Sequence, residues 1–123
     1  MPYPFYALVY DKTLAGNGSV SLDPLNIQLG FTVEIYALTQ HSTSTNYLFN
    51  FQKAGEDFPF VGVNQHAAIG VNMATWFPAN VLKPWQLTGK ITLAPSDRLL
   101  ISLQDQSGSS NVIQLSFLGV AIV

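Results

Sequence analysis

Cysteine is absent from this chain of 123 residues, and charged side chains are scarce. Without cysteine the chain forms no disulfide, offers no thiolate nucleophile and holds no cysteine-ligated zinc. Charged residues make up 10% of the sequence, against about 25% in an average domain. The five cations, spread from Lys12 to Arg98, form no basic stripe of the kind that nucleic-acid binding requires. We therefore expect neutral or protein partners and no nucleic acid.

Long apolar runs, a secretory leader and acidic clusters are also missing. The longest uncharged stretch, residues 58–82, is interrupted by amides and prolines well short of the roughly 20 apolar residues that span a bilayer. No cationic segment followed by an apolar one stands at the N-terminus, so no signal peptide is predicted. No loop has the acidic density of a calcium site. We expect synthesis and folding in a cytoplasm, with no membrane partner, no metal and no cofactor.

The pattern of apolar residues predicts an all-β protein. Glycines, prolines and polar clusters divide the chain into short pieces, and within most pieces apolar residues recur with a period near two. No convincing amphipathic helix and no internal repeat are visible. We predict a single domain over residues 1–123, an antiparallel two-sheet sandwich that is jelly-roll-like and has about seven to nine strands.

Alternation is clearest in the middle and near the end of the chain. Residues 31–38 predict a long central strand, and residues 112–118 predict a strand with one core face. Tyr47, Phe49 and Phe51 recur on one face of the piece between the two. Three aromatic rings in a ladder favour packing in the core.

Prolines, glycines and aspartates mark the expected breaks. Proline lacks a backbone N–H, so Asp23-Pro24 is predicted to end the second strand. Gly119 is predicted to interrupt the last strand as a bulge. Asp57, Asp97 and Asp105 stand at predicted turns, where we expect each carboxylate to cap its own backbone.

The sequence offers little material for catalysis. His41 and His66 are the two histidines, and we expect each to be a surface or hydrogen-bonded structural residue rather than a general base or metal ligand. No recognised nucleophile signature is present. A small hydrolase would require one of these histidines beside a carboxylate and a hydroxyl. We therefore predict no catalytic residue and a protein that is not an enzyme.

Aromatic residues near prolines are the candidate interface. Trp76 and Trp85 flank a connection that contains prolines, and such tryptophans can anchor a protein interface, stack on sugars or plug the ends of the sandwich. Tyr3, Phe5 and Tyr6 lie in an N-terminal segment with two prolines. That segment is either an extended arm packed on a neighbouring subunit or an edge strand of its own sheet.

The last 48 residues of the chain carry a family resemblance. The pattern consists of Pro78, Leu82-Lys83-Pro84, Leu93-Ala94-Pro95-Ser96, Leu99, Ile101, Leu103, Asp105-Gln106-Ser107-Gly108, Asn111, Ile113, Leu115, Phe117 and Gly119. It resembles the closing strands of small β-sandwich head decoration (cement) and minor virion proteins of tailed bacteriophages. The resemblance covers under half of the chain.

This resemblance implies a jelly-roll-like subunit that assembles, most often as a trimer, on a capsid and stabilises it without catalysis. Its partners would be copies of itself and a capsid or other virion protein, and its location the virion. The alternative is a carbohydrate-binding module or a lectin-like receptor-binding sandwich. That alternative predicts an exposed platform formed by Trp76, Trp85, Tyr36 or Tyr47, with amides beside it.

Overall fold

The computed structural model describes residues 2–26, 30, 32–55, 71–75 and 85–122. Within these residues, eight β-strands and one short 3₁₀ helix, Met73–Thr75, are present. The strands are β1 Pro2–Leu14, β2 Ser19–Asn26, β3 Thr32–Ser42, β4 Tyr47–Lys53, β5 Val71–Asn72, β6 Trp85–Leu93, β7 Arg98–Asp105 and β8 Asn111–Ile122.

The strands form two antiparallel sheets of four. Sheet 1 has the order β1-β8-β3-β6, and sheet 2 has the order β2-β7-β4-β5. The chain crosses from one sheet to the other between almost all consecutive strands, which is the winding of a jelly roll. The predicted all-β, jelly-roll-like sandwich is therefore confirmed, and the eight described strands lie within the expected number.

The core lies between the inner faces of the two sheets. Tyr47, Phe49 and Phe51 of β4 are fully buried, as the aromatic ladder predicted. The Phe49 and Phe51 rings stack with centroids 5.4 Å apart. Phe51 also contacts Phe117 of the opposite sheet edge to face, at 5.2 Å. Because such offset and edge-on pairs are favourable beyond their buried area, this cluster joins the two sheets.

Two tyrosine hydroxyls connect the sheets by hydrogen bonds. Tyr10 of β1 donates to Asp23 Oδ2 of β2 at 2.5 Å, and Lys12 Nζ lies 3.8 Å from the same oxygen. Tyr47 of β4 donates to Gln40 Oε1 of β3 at 3.0 Å. Burial raises the pKa of both tyrosines, so each phenol stays protonated and remains a donor.

Gly119 does not interrupt the last strand, contrary to the sequence prediction. β8 runs unbroken through Gly119, and the irregularities lie in its two neighbours, β1 and β3. A Cβ built on Gly119 would overlap the main-chain carbonyl of Glu34 on β3. The glycine is required because it lets two backbones approach closely, and the bulges absorb the mismatch in register.

The second strand does not end at Asp23-Pro24, contrary to the prediction from the sequence. β2 continues to Asn26, and Pro24 pairs with Leu100 of β7. β2 is an edge strand, and proline is tolerated there because its missing N–H does not break a ladder on the outer side.

The N-terminal segment is an edge strand of its own sheet rather than an extended arm. β1 pairs with β8 from Pro2, opposite Ile122, to Leu14, opposite Asn111. β8 is therefore hydrogen-bonded on both sides, to β1 and to β3. This pairing also covers the apolar end of the chain within the described residues.

Replacing Gly119 with alanine should destabilise the fold by about 3 kcal/mol or more, because the added methyl group forces β8 and β3 apart. Gly89→Ala is the matched control, since a Cβ at Gly89 meets nothing within 4 Å; it should change stability by about 1 kcal/mol or less. Urea unfolding followed by circular dichroism measures both. Equal stabilities of the two variants would contradict the close approach at Gly119.

Candidate interaction surface

The solvent side of sheet 1 is defined by alternation along its central strands. In β8, Ile113, Leu115 and Phe117 are buried, so the residues between them point outward. The outward positions of β8 are Val112, Gln114, Ser116, Leu118, Val120 and Ile122. Their cross-strand partners are Val9, Asp11 and Thr13 on β1, and Thr32, Glu34, Ala37, Thr39 and His41 on β3. We call this set, together with Tyr36 at the bulge of β3, the outer face.

The outer face carries exposed apolar side chains. Val9, Val112 and Ile122 expose 45%, 55% and 38% of their surfaces, and Tyr36, at the bulge of β3, exposes 42%. Outward positions of an antiparallel sheet that faces water are usually polar. Apolar side chains grouped on one face are typical of an interaction surface.

The charges at one end of this face neutralise each other. Lys90 Nζ of β6 lies 2.6 Å from Glu34 Oε2, and the Tyr36 hydroxyl donates to Glu34 Oε1 at 3.2 Å. The hydrogen bond from Lys90 lowers the pKa of Glu34 and raises that of Lys90. Both groups are therefore charged at neutral pH, and the two charges neutralise each other.

One row across the outer face contains an acid, an amide and a histidine. Asp11 of β1 and His41 of β3 both pair with Gln114 of β8, one on each side. All three residues are exposed, and Gln114 Nε2 donates to Asp11 Oδ1 at 2.9 Å. Asp11 and His41 are thus separated by two strand spacings, about 10 Å.

A buried carboxylate holds the loops at one end of the sandwich together. Asp105, at the end of β7, is 1% exposed. Its Oδ2 accepts hydrogen bonds from the N–H groups of Asn17 at 2.9 Å and Gly108 at 3.1 Å. Its Oδ1 accepts from Ser107 Oγ at 2.7 Å and Asn111 Nδ2 at 3.2 Å.

These donors decide the ionisation of Asp105. Burial by itself would raise the pKa of the carboxyl, but the hydrogen bonds from Asn17, Ser107 and Asn111 outweigh it and lower the pKa to about 2. The predicted role, capping of its own turn, is confirmed by the bond from the Gly108 N–H. The sequence did not reveal the bond to Asn17, because that residue lies 88 positions away.

Asparagines continue this network around the same end. Buried Asn111 accepts from Ser44 N–H at 3.0 Å and donates to the Ser44 carbonyl at 2.9 Å. Asn46 donates to the Gln106 carbonyl at 3.0 Å and accepts from Asn72 at 2.9 Å. At this end of the sandwich, the described asparagines therefore hydrogen-bond to neighbouring loops and to each other. Their role is structural.

For the predicted interface residues, the structure describes at most the backbone. Tyr3 and Tyr6 pair with β8 through their backbones, Phe5 lies within β1, and Trp85 opens β6, paired with Leu38. The structure describes none of these four side chains, and Trp76 lies outside the described residues. Their role at an interface stays a prediction.

The outer face was missed by the sequence analysis, although a signal was present. The outward positions of the last strand include Val112, Leu118 and Val120, so both faces of that strand are rich in apolar residues. A strand that is apolar on both faces is either buried on both sides or carries an interaction surface.

The remaining predicted residues are tyrosines, histidines and aspartates. Tyr47 is fully buried, so it cannot belong to an exposed sugar-binding platform, whereas Tyr36 is exposed. His41 is exposed on the outer face, as expected of a surface histidine, and His66 and Asp57 lie outside the described residues. Asp97 accepts a hydrogen bond from the Ala94 N–H at 2.8 Å, which confirms its turn-capping role.

Searches for other kinds of site and for related proteins were negative. Among the described residues, no group of three or more histidine, cysteine, aspartate or glutamate side chains could hold a metal ion. In the same part of the chain, no helix has the length and apolarity needed to cross a membrane. Comparisons with protein-family models, curated proteins and solved structures found no match.

Asp105→Asn should destabilise the fold, because an NH₂ group, itself a donor, replaces one carboxylate oxygen that accepts two hydrogen bonds. The ionised carboxylate stabilises the folded state fully above its ordinary pKa of about 3.9, and this contribution is lost as pH falls through about 2. Thermal unfolding should therefore show a gap between wild type and variant at about pH 7 that closes between about pH 4 and pH 2.

Ser107→Ala is the matched comparison, since it removes one of the four donors and leaves the carboxylate in place. It should give a smaller gap with the same direction of pH dependence. A gap that stays constant over this pH range would contradict the ionised state of Asp105.

Proposed function

We propose that this chain is a non-enzymatic structural protein of a virion, a decoration protein that assembles with copies of itself and stabilises a capsid. The observation that carries the proposal is the outer face, an extended surface of sheet 1 with exposed aliphatic side chains and with Glu34 paired to Lys90. A protein whose work is to bind another protein surface needs such a face.

The fold supports this proposal by analogy. The jelly roll is common among viral capsid proteins and is also found in lectins and cupins. Because one fold serves many functions, the strand order agrees with a virion role without deciding it.

The distribution of charge also supports a structural role. The three described ion pairs join Lys12 to Asp23, Lys53 to Asp97 and Lys90 to Glu34. Each pair satisfies charges within the same subunit, so the surface is covered mainly by uncharged polar and apolar groups. The buried centre of a protein–protein interface is depleted of charged residues.

Gradient sedimentation of virus particles from the source culture tests this proposal. An antiserum raised against the purified chain should detect it in the fractions that contain the major capsid protein. Particles assembled without the chain should lose their nucleic acid at a lower temperature, and addition of the purified chain should restore the wild-type temperature. An equal mass of serum albumin is the control.

Two results would contradict the proposed function. One is recovery of the chain at the top of the gradient, away from every particle fraction. The other is equal thermal stability of particles with and without the chain. In the first case a shift of tryptophan fluorescence on addition of soluble glycans would favour the carbohydrate-binding alternative.

A further inference from the structure

We infer that the outer face of sheet 1 binds the same face of a second copy of this chain, about a two-fold axis that runs along β8. The inference rests on the self-assembly in the proposed function, and it is independent of the capsid.

Asp11, Gln114 and His41 form a row whose charges are complementary to those of the same row in a second copy. Asp11 and His41 flank Gln114 at equal strand spacings. Rotation by 180° about an axis parallel to β8 exchanges the β1 side of one copy with the β3 side of the other. Asp11 of each copy then faces His41 of the other, so the contact occurs twice.

The chemistry of this contact is favourable. The carboxylate accepts hydrogen bonds, and an imidazole donates an N–H in its neutral and in its charged form. Asp11 can accept this bond in addition to the bond from Gln114, because each carboxylate has about four lone-pair sites. An axis in the same plane but perpendicular to the strands would place Asp11 over Asp11, and like charges would repel. The row therefore selects the axis along β8.

The residues on the axis are those that benefit from meeting their own copies. The outward side of β8 places Val112, Leu118, Val120 and Ile122 along this line, so each would contact aliphatic groups of the second copy. Burial of these side chains is favourable in proportion to the apolar area removed from water. Val9, on β1, would lie over Thr39 of β3, the two residues being paired on opposite sides of Ser116.

The size of the face is sufficient for a specific contact. β8 has 12 residues and is about 40 Å long at about 3.4 Å per residue. Three strands about 4.8 Å apart give a width of about 14 Å. The two copies together would bury about 1,100 Å², near the lower end of specific interfaces. We therefore expect an association that depends on concentration.

A two-fold contact joins two identical assemblies and so doubles the number of subunits. It forms a dimer from monomers, or a hexamer from the trimers that the family resemblance implies. In either case, a variant that breaks the contact should halve the mass measured by light scattering.

Three charge variants test the pairing of Asp11 with His41. Asp11→His places two histidines opposite each other, and His41→Asp places two carboxylates opposite each other. Each single variant should weaken association by about tenfold, because symmetry counts every contact twice. The double variant, D11H with H41D, restores the opposite pairing and should recover most of the lost affinity. Dilution series by size exclusion with light scattering measure all four proteins.

Val112→Glu tests the axis itself, because two like charges would then meet on it. Leu22→Glu is the matched control: Leu22 is also an exposed aliphatic residue, but it lies on β2 of the other sheet. Val112→Glu should halve the mass and Leu22→Glu should leave it unchanged. Circular dichroism confirms that each variant is folded.

The inference is overturned if Val112→Glu and Leu22→Glu have the same mass as wild type, or if the double charge variant associates no better than the single ones. These results would leave the proposed function standing whenever the chain still sediments with particles. In the converse outcome, Val112→Glu has half the mass of wild type while the wild-type chain never sediments with particles. That combination would support the two-fold contact and contradict the virion role.

Discussion

The rest of this structure depends on the pairing of β8 with two neighbours at once. β8 is hydrogen-bonded to β1 on one side and to β3 on the other, and at Gly119 it approaches the Glu34 carbonyl too closely for any side chain. The bulges in β1 and β3 lie opposite this point. With β8 fixed in this way, its inner residues complete the core and its outer residues form one continuous face.

Two kinds of polar group complete this architecture. Tyrosine hydroxyls connect the two sheets. At one end of the sandwich, Asp105 joins the β1–β2 and β7–β8 connections through four hydrogen bonds. Both arrangements satisfy buried polar atoms, which would otherwise oppose folding. Most described charges are also paired within the chain, and the outer face of sheet 1 combines exposed aliphatic side chains with few charges.

The sequence predicts those features that depend on local pattern. The core positions of Tyr47, Phe49 and Phe51 follow from a period of two, and the sandwich follows from several such strands. Features that depend on which strands are neighbours were not predictable: Pro24 is tolerated because β2 lies at an edge, and Gly119 is needed because of a carbonyl on β3. The donor from Asn17 to Asp105 and the symmetric row around Gln114 likewise require the three-dimensional register.

Hydrogen exchange of the β8 amides, followed by NMR, tests the central claim most directly. In an antiparallel strand, successive N–H groups point to alternate sides. If β1 and β3 both pair with β8, the amides from Ile113 to Leu118, where both registers are regular, should all exchange slowly, with no alternation. Fast exchange of every second amide would show that one neighbour is absent, and it would contradict both the fold of sheet 1 and the outer face built on it.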